Sequence, residues 1–239
     1  MKQIIVKDLV KKFGDFVAND YLSFEVDSGE IFGFLGANGA GKTTAIKILC
    51  GLLSPTSGEV SVAGFDVYRQ NEKIKQNIGY MSQKFSLYDD LTIAENIRFY
   101  GGIYGLDKTT IKAKTSEYIH KLNISEYAKS KVKELPLGVK QKLAFMVAIL
   151  HNPPIVFLDE PTGGVDPITR RQFWEMIYEE AEAGKTIFVT THYMDEAEYC
   201  HRVSIMVDGR IEALDTPQKL KKQFAVDSME EVFIKLARG

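Results

Sequence analysis

Eight consecutive residues, Gly36-Ala37-Asn38-Gly39-Ala40-Gly41-Lys42-Thr43, put glycines, a lysine and a hydroxyl at a spacing suited to holding phosphate. The run fits G-x-x-x-x-G-K-[ST]. Glycines let the chain wrap tightly with positive φ, so that successive backbone N–H groups converge on phosphate oxygens. A helix beginning near Lys42 would add the positive end of its dipole. Lys42 is then placed to reach β- and γ-phosphates, and Thr43 to ligate Mg²⁺, with Thr44 next along. By average composition the four specified positions coincide in roughly 1% of chains this long. The apolar run before the loop, Ile31 to Leu35, and the helical spacing of Ile46, Leu49, Leu52 and Leu53 after it make an accidental match rarer still.

A second group narrows the chemistry. Ile155-Val156-Phe157-Leu158 is a short apolar strand that ends in Asp159-Glu160. An acid at the end of a buried strand is costly unless a cation or hydrogen bonds receive it, so Asp159 is suited to hold Mg²⁺, directly or through water. Glu160 is suited to orient and polarise an attacking water. Without the upstream phosphate loop, an Asp-Glu pair would read as a solvated loop. His192 follows the run Val189-Thr190-Thr191. It reads equally well as an ordinary loop histidine or as a γ-phosphate contact.

The elements that must position these groups alternate along the chain. Gln3 to Val10 and Leu22 to Val26 read as strands, with Asp27-Ser28-Gly29-Glu30 a turn between the second and Ile31 to Leu35. A helix is expected over Thr43 to Leu53. The middle turns helical. Thr92 and Glu95 fit a capping box, Ile93, Ile97, Tyr100 and Tyr104 share a helical face, and Gly105 can end the helix. Ile111, Tyr118, Ile119 and Leu122 make a second stripe, and a third helix is expected over Lys140 to Leu150. Past Pro153-Pro154 the strand–helix alternation returns, with a helix over Pro167 to Ala183 and a strand over Thr186 to Thr190. Asp208-Gly209 between two apolar runs is a hairpin signal. Apolar runs separated by helical spans imply a mostly parallel sheet covered on both faces.

Bulk properties exclude several classes. The 239 residues carry 45% hydrophobic and 26% charged side chains, which disfavours disordered and fibrous chains. A net charge of -2 argues against a nucleic-acid partner and against membrane binding through bulk charge. Two cysteines, Cys50 and Cys200, exclude a disulfide scaffold and an all-cysteine zinc site. The first residues lack the apolar core of a signal peptide, and Leu143 to Leu150 is too short to cross a bilayer. If the protein acts at a membrane, a partner is expected to do the crossing.

Taken in order, these features resemble the ATPase subunit of ABC transporters over essentially the whole chain. Phe13 looks like the aromatic that stacks on adenine, Gly36 to Thr43 like the Walker A loop, and Gln83 like the Q-loop glutamine, which meets the metal and the membrane partner. Ile155 to Asp159 looks like Walker B with Glu160 as the catalytic carboxylate, Gly163-Gly164-Val165-Asp166 like the D-loop, and His192 like the switch histidine. The resemblance implies an α/β fold: a P-loop NTPase core with a mostly parallel sheet, an N-terminal antiparallel β subdomain and an inserted α-helical subdomain. One domain over 1–239 is expected, with a β-rich and Walker A part (1–85), a helical insert (86–150), a Walker B to switch-histidine part (151–215) and a tail (216–239).

It also implies ATP and Mg²⁺ as ligands and hydrolysis as the activity. Glu160, His192 and Gln83 would be catalytic. Thr43, Gln83 and Asp159 would serve the metal. Phe13, the loop from Gly36 to Thr44, Gly138 and Asp166 would contact the nucleotide. A second ATPase subunit, identical or not, and a membrane-spanning permease would be the partners, which puts the chain peripherally on the cytoplasmic face of the plasma membrane. Phe85, Leu87 and Tyr88, beside Gln83, either pack the insert or form the docking surface. The tail, Ile211 to Pro217 and Met229 to Phe233, resembles bacterial drug-, antibiotic- and polysaccharide-export ATPases. The alternative is a weakly hydrolysing regulatory or non-transport ATPase.

One stretch departs from the family. Where Leu-Ser-Gly-Gly-Gln is usual, this chain has Leu135-Pro136-Leu137-Gly138-Val139, followed by Lys140-Gln141-Lys142-Leu143. The signature serine of one subunit meets the γ-phosphate held by the other. Pro136 supplies neither hydroxyl nor backbone N–H. Leu137 stands where a glycine would approach phosphate.

Overall fold

The computed structural model describes residues 1–84 and 86–238. Strands β1 (Lys2–Phe13) and β2 (Phe16–Asp27) form a long antiparallel hairpin. Strand β3 (Ile31–Gly36) runs into α1 (Lys42–Leu49), and β4 (Ser57–Val62) with β5 (Phe65–Asp66) follow. Next come α2 (Asn71–Asn77), β6 (Ile78–Met81), α3 (Ile93–Ile103), α4 (Lys108–Lys121) and α5 (Leu137–Ala148). The chain continues through β7 (Ile155–Asp159), α6 (Pro167–Glu182), β8 (Thr186–Thr191) and a short 3₁₀ segment, Met194–Tyr199. It finishes with β9 (Arg202–Val207), β10 (Arg210–Asp215), α7 (Pro217–Phe224) and α8 (Met229–Arg238).

Two sheets result. One has four strands in the order β2-β1-β4-β5, the other six in the order β10-β9-β3-β8-β7-β6. In the larger sheet β3 pairs in parallel with β8 and β9, and β7 with β6 and β8; only β10 runs antiparallel, against β9. This is the α/β architecture expected. Strands β3, β7 and β8 are buried at every residue, as strands of a parallel sheet covered on both faces must be. Between the two sheets Phe24 packs on Phe32 and Phe34 at 5.6 Å and on Phe188 at 6.1 Å. Each buried ring contributes about 1.5–3 kcal/mol, so this aromatic layer fixes the hairpin against the strand that leads into the phosphate loop.

Local signals explain most boundaries. Thr92 and Glu95 form the expected capping box, and Gly105 takes φ +72 just past α3. Asp208 and Gly209 adopt φ 46 and 82, the paired left-handed geometry of a two-residue hairpin. Two helices differ from expectation. α1 ends at Leu49 rather than Leu53, because Gly51 turns left-handed at φ 66. α5 starts at Leu137, three residues early, because Pro136 is its N-cap. Leu87 is buried among the helices, whereas Tyr88 is half exposed and packs edge-on to Phe99 at 4.6 Å; Phe85 lies outside the described residues. Among the described residues no helix is long and apolar enough to cross a membrane.

Candidate functional site: the phosphate cradle

The loop between β3 and α1 is built around two left-handed glycines, Gly39 at φ 87 and Gly41 at φ 100. A side chain on Gly41 would also meet the carbonyl oxygen of Ala18 at 2.2 Å, so both backbone and space demand glycine. The loop is tied from outside. The Asn19 amide donates to the Gly41 carbonyl at 3.1 Å, and the Gly209 N–H donates to the Ala40 carbonyl at 3.2 Å. Lys42 is buried, and its Nζ donates to the carbonyls of Gly36 at 2.7 Å and Ala37 at 3.0 Å. Burial pulls its pKa down, and the carboxylates of Glu160 and Asp159 oppose that pull.

Both acids stand at the end of β7. Asp159 is 1% exposed and accepts a hydrogen bond from Thr190 Oγ1 at 2.6 Å. Burial raises its pKa, while the hydroxyls of Thr190 and Thr43 and the charge of Lys42 hold it down. Glu160 is a non-glycine residue at φ 50. Such strain gathers at functional sites. Here the Glu160 N–H donates to the carbonyl and hydroxyl oxygens of Thr190, both at 3.1 Å, and these bonds hold the turn. Its carboxylate lies 3.7 Å from Lys42 Nζ, accepts a 2.8 Å bond from Gln83 Nε2 and stands 3.2 Å from His192 Nδ1. Residues far apart in sequence thus converge on one acid.

Two adjoining cavities open here. One of about 280 Å³ is lined by Phe16, Ala18, Asn38, Gly39, Gly41, Lys42, Thr43, Thr44, Gln83 and Glu160. Asn38, Gln83 and Glu160 also border the second, of about 350 Å³, with His192, Leu137 and Gln141. A larger groove, about 1110 Å³ between α3 and α4, contains none of these groups.

Among the described residues no cluster of three or more His, Cys, Asp or Glu side chains could hold a metal by itself. One dehydrated carboxylate beside a threonine hydroxyl instead suits Mg²⁺, which takes one or two carboxylates and completes its shell with phosphates and water. Thr43, Asp159 and Gln83 fit that role.

Three residues expected at the nucleotide do not border these cavities within the single chain. Phe13 is the register partner of Phe16, half exposed, with Lys11 Nζ 4.9 Å over its ring; Phe16 is the ring that lines the cradle. Gly138 sits in the first turn of α5, where a side chain would meet Thr169 Cγ2 at 2.6 Å, so it serves the packing of α5 on α6. Asp166 caps α6: its carboxylate accepts from the N–H groups of Ile168 and Thr169, each at 3.0 Å, and from the Thr169 hydroxyl. Neither borders the two cavities.

Phe16 offers a direct test. Alanine there should lower ATP affinity about 5- to 150-fold, the range of base–aromatic stacking, without affecting inorganic triphosphate. The same change at Phe13 should cost less. Isothermal titration of both variants measures this, and the reverse order would return the base to Phe13.

Sequence reasoning also passed over Asn19, Thr190 and Gln141. Gln141 Nε2 donates to the Gly163 carbonyl at 2.9 Å, joining α5 to the segment after Glu160. No local pattern marks such residues, because each acts across the fold.

A family model described as "ABC transporter" matches residues 20–163. The "Probable multidrug ABC transporter ATP-binding protein YbhF" of Escherichia coli (strain K12) is 50% identical over 238 residues, covering 98% of this chain. The chain spans only 41% of the length of that relative. The "Linearmycin resistance ATP-binding protein LnrL" of Bacillus subtilis (strain 168) is 34% identical over 95% of this chain and 74% of its own length. Among solved structures, the dimeric ATP-binding cassette MJ0796 in a post-hydrolysis state with ADP and Pi superposes with a TM-score of 0.81. It shares 26% identity and covers 89% of this chain and 98% of its own.

Proposed function

Because the chain belongs to the ABC transporter ATP-binding family, we propose that it binds Mg·ATP, hydrolyses it as part of a two-cassette dimer, and powers export through a separate membrane-spanning permease. The observation that carries the catalytic part is the surrounding of Glu160: 10% exposed, fixed by Gln83, beside His192, and within 3.7 Å of the loop lysine.

In this reading the loop amides and Lys42 hold the phosphates, and Thr43 and Asp159, with Gln83, hold the metal. Bound there, Mg²⁺ would offset the negative charge of the phosphates. Glu160 orients the attacking water and accepts its proton. His192, on the same carboxylate, senses the γ-phosphate. Phosphoryl transfer draws its acceleration mainly from positioning and electrostatics, and a site held by cross-strand bonds at Thr190 is suited to that. Export is supported by the names of the relatives, one a probable multidrug and one a linearmycin resistance protein. A dimer is supported by the MJ0796 cassette.

The altered signature gives a further prediction. Pro136 caps α5 without any side-chain hydrogen bond, and Leu137 is 43% exposed. Pro136→Ser with Leu137→Gly would restore a hydroxyl and a close backbone approach. A hydrogen bond to a charged group contributes about 1.5–3 kcal/mol, so ATP-driven dimerisation should tighten by roughly 10- to 150-fold per site. Serine would also cap α5, worth about 1 kcal/mol, so monomer stability must be measured alongside. Dimerisation unchanged by sedimentation would contradict this account of the signature.

The proposal as a whole is tested by Mg²⁺-dependent ATP turnover of the purified chain and by its co-purification with a membrane subunit. Absence of turnover with and without that subunit would overturn the enzymatic reading.

A further inference from the structure

The 3₁₀ segment that follows His192 carries a charged group that is wholly buried. Glu196 is 0% exposed, and its Oε1 accepts from Thr162 Oγ1 at 2.5 Å. Thr162 lies two residues beyond Glu160, so the loop after the acid and the loop after the histidine are joined here. A buried carboxylate is costly without hydrogen bonds or a cation. Arg170 provides it, with Nε 3.7 Å from Glu196 Oε1 and a second contact of 3.3 Å from Nη1 to Asp195. These contacts set the guanidinium beside the two carboxylates, and its carbon lies 4.3 Å over the Tyr193 ring. The Tyr193 ring in turn lies against the imidazole of His192, centroids 4.2 Å apart. Arg170 itself sits in the first turn of α6, its N–H bonded to the Asp166 carbonyl at 3.0 Å.

We propose that Arg170, held by buried Glu196, positions His192 through the ring of Tyr193, so that the orientation of the histidine follows the start of α6. Resting on the hydrolytic reading above, it assigns Arg170 and Tyr193 as positioning residues for that same site. The guanidinium is the group for this task. Its carbon lies over the ring while its Nε and Nη1 approach two carboxylates. Displacement of the segment from Gly163 to Asp166 is thereby passed to the imidazole beside Glu160.

The test uses the purified full chain. Tyr193→Ala should lower kcat about 3- to 30-fold, the range of a partly desolvated cation–π contact, while the KM for ATP stays unchanged. Tyr193→Phe keeps the ring and should retain the turnover. Arg170→Gln added to Tyr193→Ala should cause no further loss of kcat, since the two act in series. Three results would overturn the inference: equal losses in the Phe and Ala variants, a KM that rises in step with the fall in kcat, or an additive double variant. Should Arg170→Gln fail to fold, with Glu196 left unpaired, the Phe and Ala pair still decides. A wild-type chain without turnover removes the hydrolytic reading itself. Wild-type turnover with an active Tyr193→Ala variant removes only the positioning role.

Discussion

Glu160→Gln should abolish ATP turnover and leave ATP binding intact. Glutamine has the same shape and can still meet Gln83 and His192, but its amide cannot accept a proton from water. General-base catalysis contributes about 10²- to 10⁴-fold, and a loss within or beyond that range is expected in kcat. Binding should not suffer. Removing a negative charge 3.7 Å from Lys42 frees that cation for phosphate. In a two-cassette assembly the variant should accumulate a closed, ATP-bound dimer, seen by size-exclusion chromatography with Mg·ATP. Retained turnover would take Glu160 out of the mechanism, whatever its surroundings.

The second large effect concerns Lys42. Its side chain is only 4% exposed and is the cation nearest to Glu160 in the cradle. Lys42→Ala removes its charge-assisted bonds to phosphate, each worth about 1.5–3 kcal/mol, and leaves Asp159 and Glu160 without the charge that opposes them. ATP affinity should fall by at least about 10- to 150-fold. Thermal unfolding offers a simple readout. A ligand at 100 times its Kd stabilises by about 2.7 kcal/mol and one at 10 times by about 1.4 kcal/mol, so Mg·ATP should raise the wild-type midpoint by at least about twice as much as that of Lys42→Ala. Equal shifts in both proteins would show that the phosphates bind elsewhere.

Features legible in the sequence are those whose physics is local. The spacing of Gly36, Gly41, Lys42 and Thr43 is set by one tight turn and the first turn of one helix, so it survives as a pattern. The Thr92–Glu95 box and the Asp208-Gly209 turn are equally local, and the burial of 155–158 shows as an unbroken apolar run. Other features depend on partners distant in the chain. The left-handed backbone of Glu160 is held by Thr190, thirty residues away. Gly138 resembles a nucleotide contact by motif, and its missing side chain also leaves room for Thr169, a partner that no local pattern announces. Asp166 falls in the motif expected to contact nucleotide, and Asp followed by Pro is also a helix start, which the cap on α6 shows. Phe13 and Phe16 differ only in their places on a hairpin, and periodicity does not tell which ring faces the cradle. Strand β6 was missed because Ile78 to Met81 is four residues long and contains Gly79, whose missing side chain admits the Ala148 carbonyl.

The most direct measurement is a crystal structure of the chain with Mg²⁺ and a non-hydrolysable ATP analogue. The expected density has the triphosphate wrapped by the amides of residues 38–43, the metal beside Thr43 and Asp159, and the Glu160 carboxylate facing the γ-phosphorus. A triphosphate bound away from that loop, or Glu160 turned from the γ-phosphate, would contradict the account.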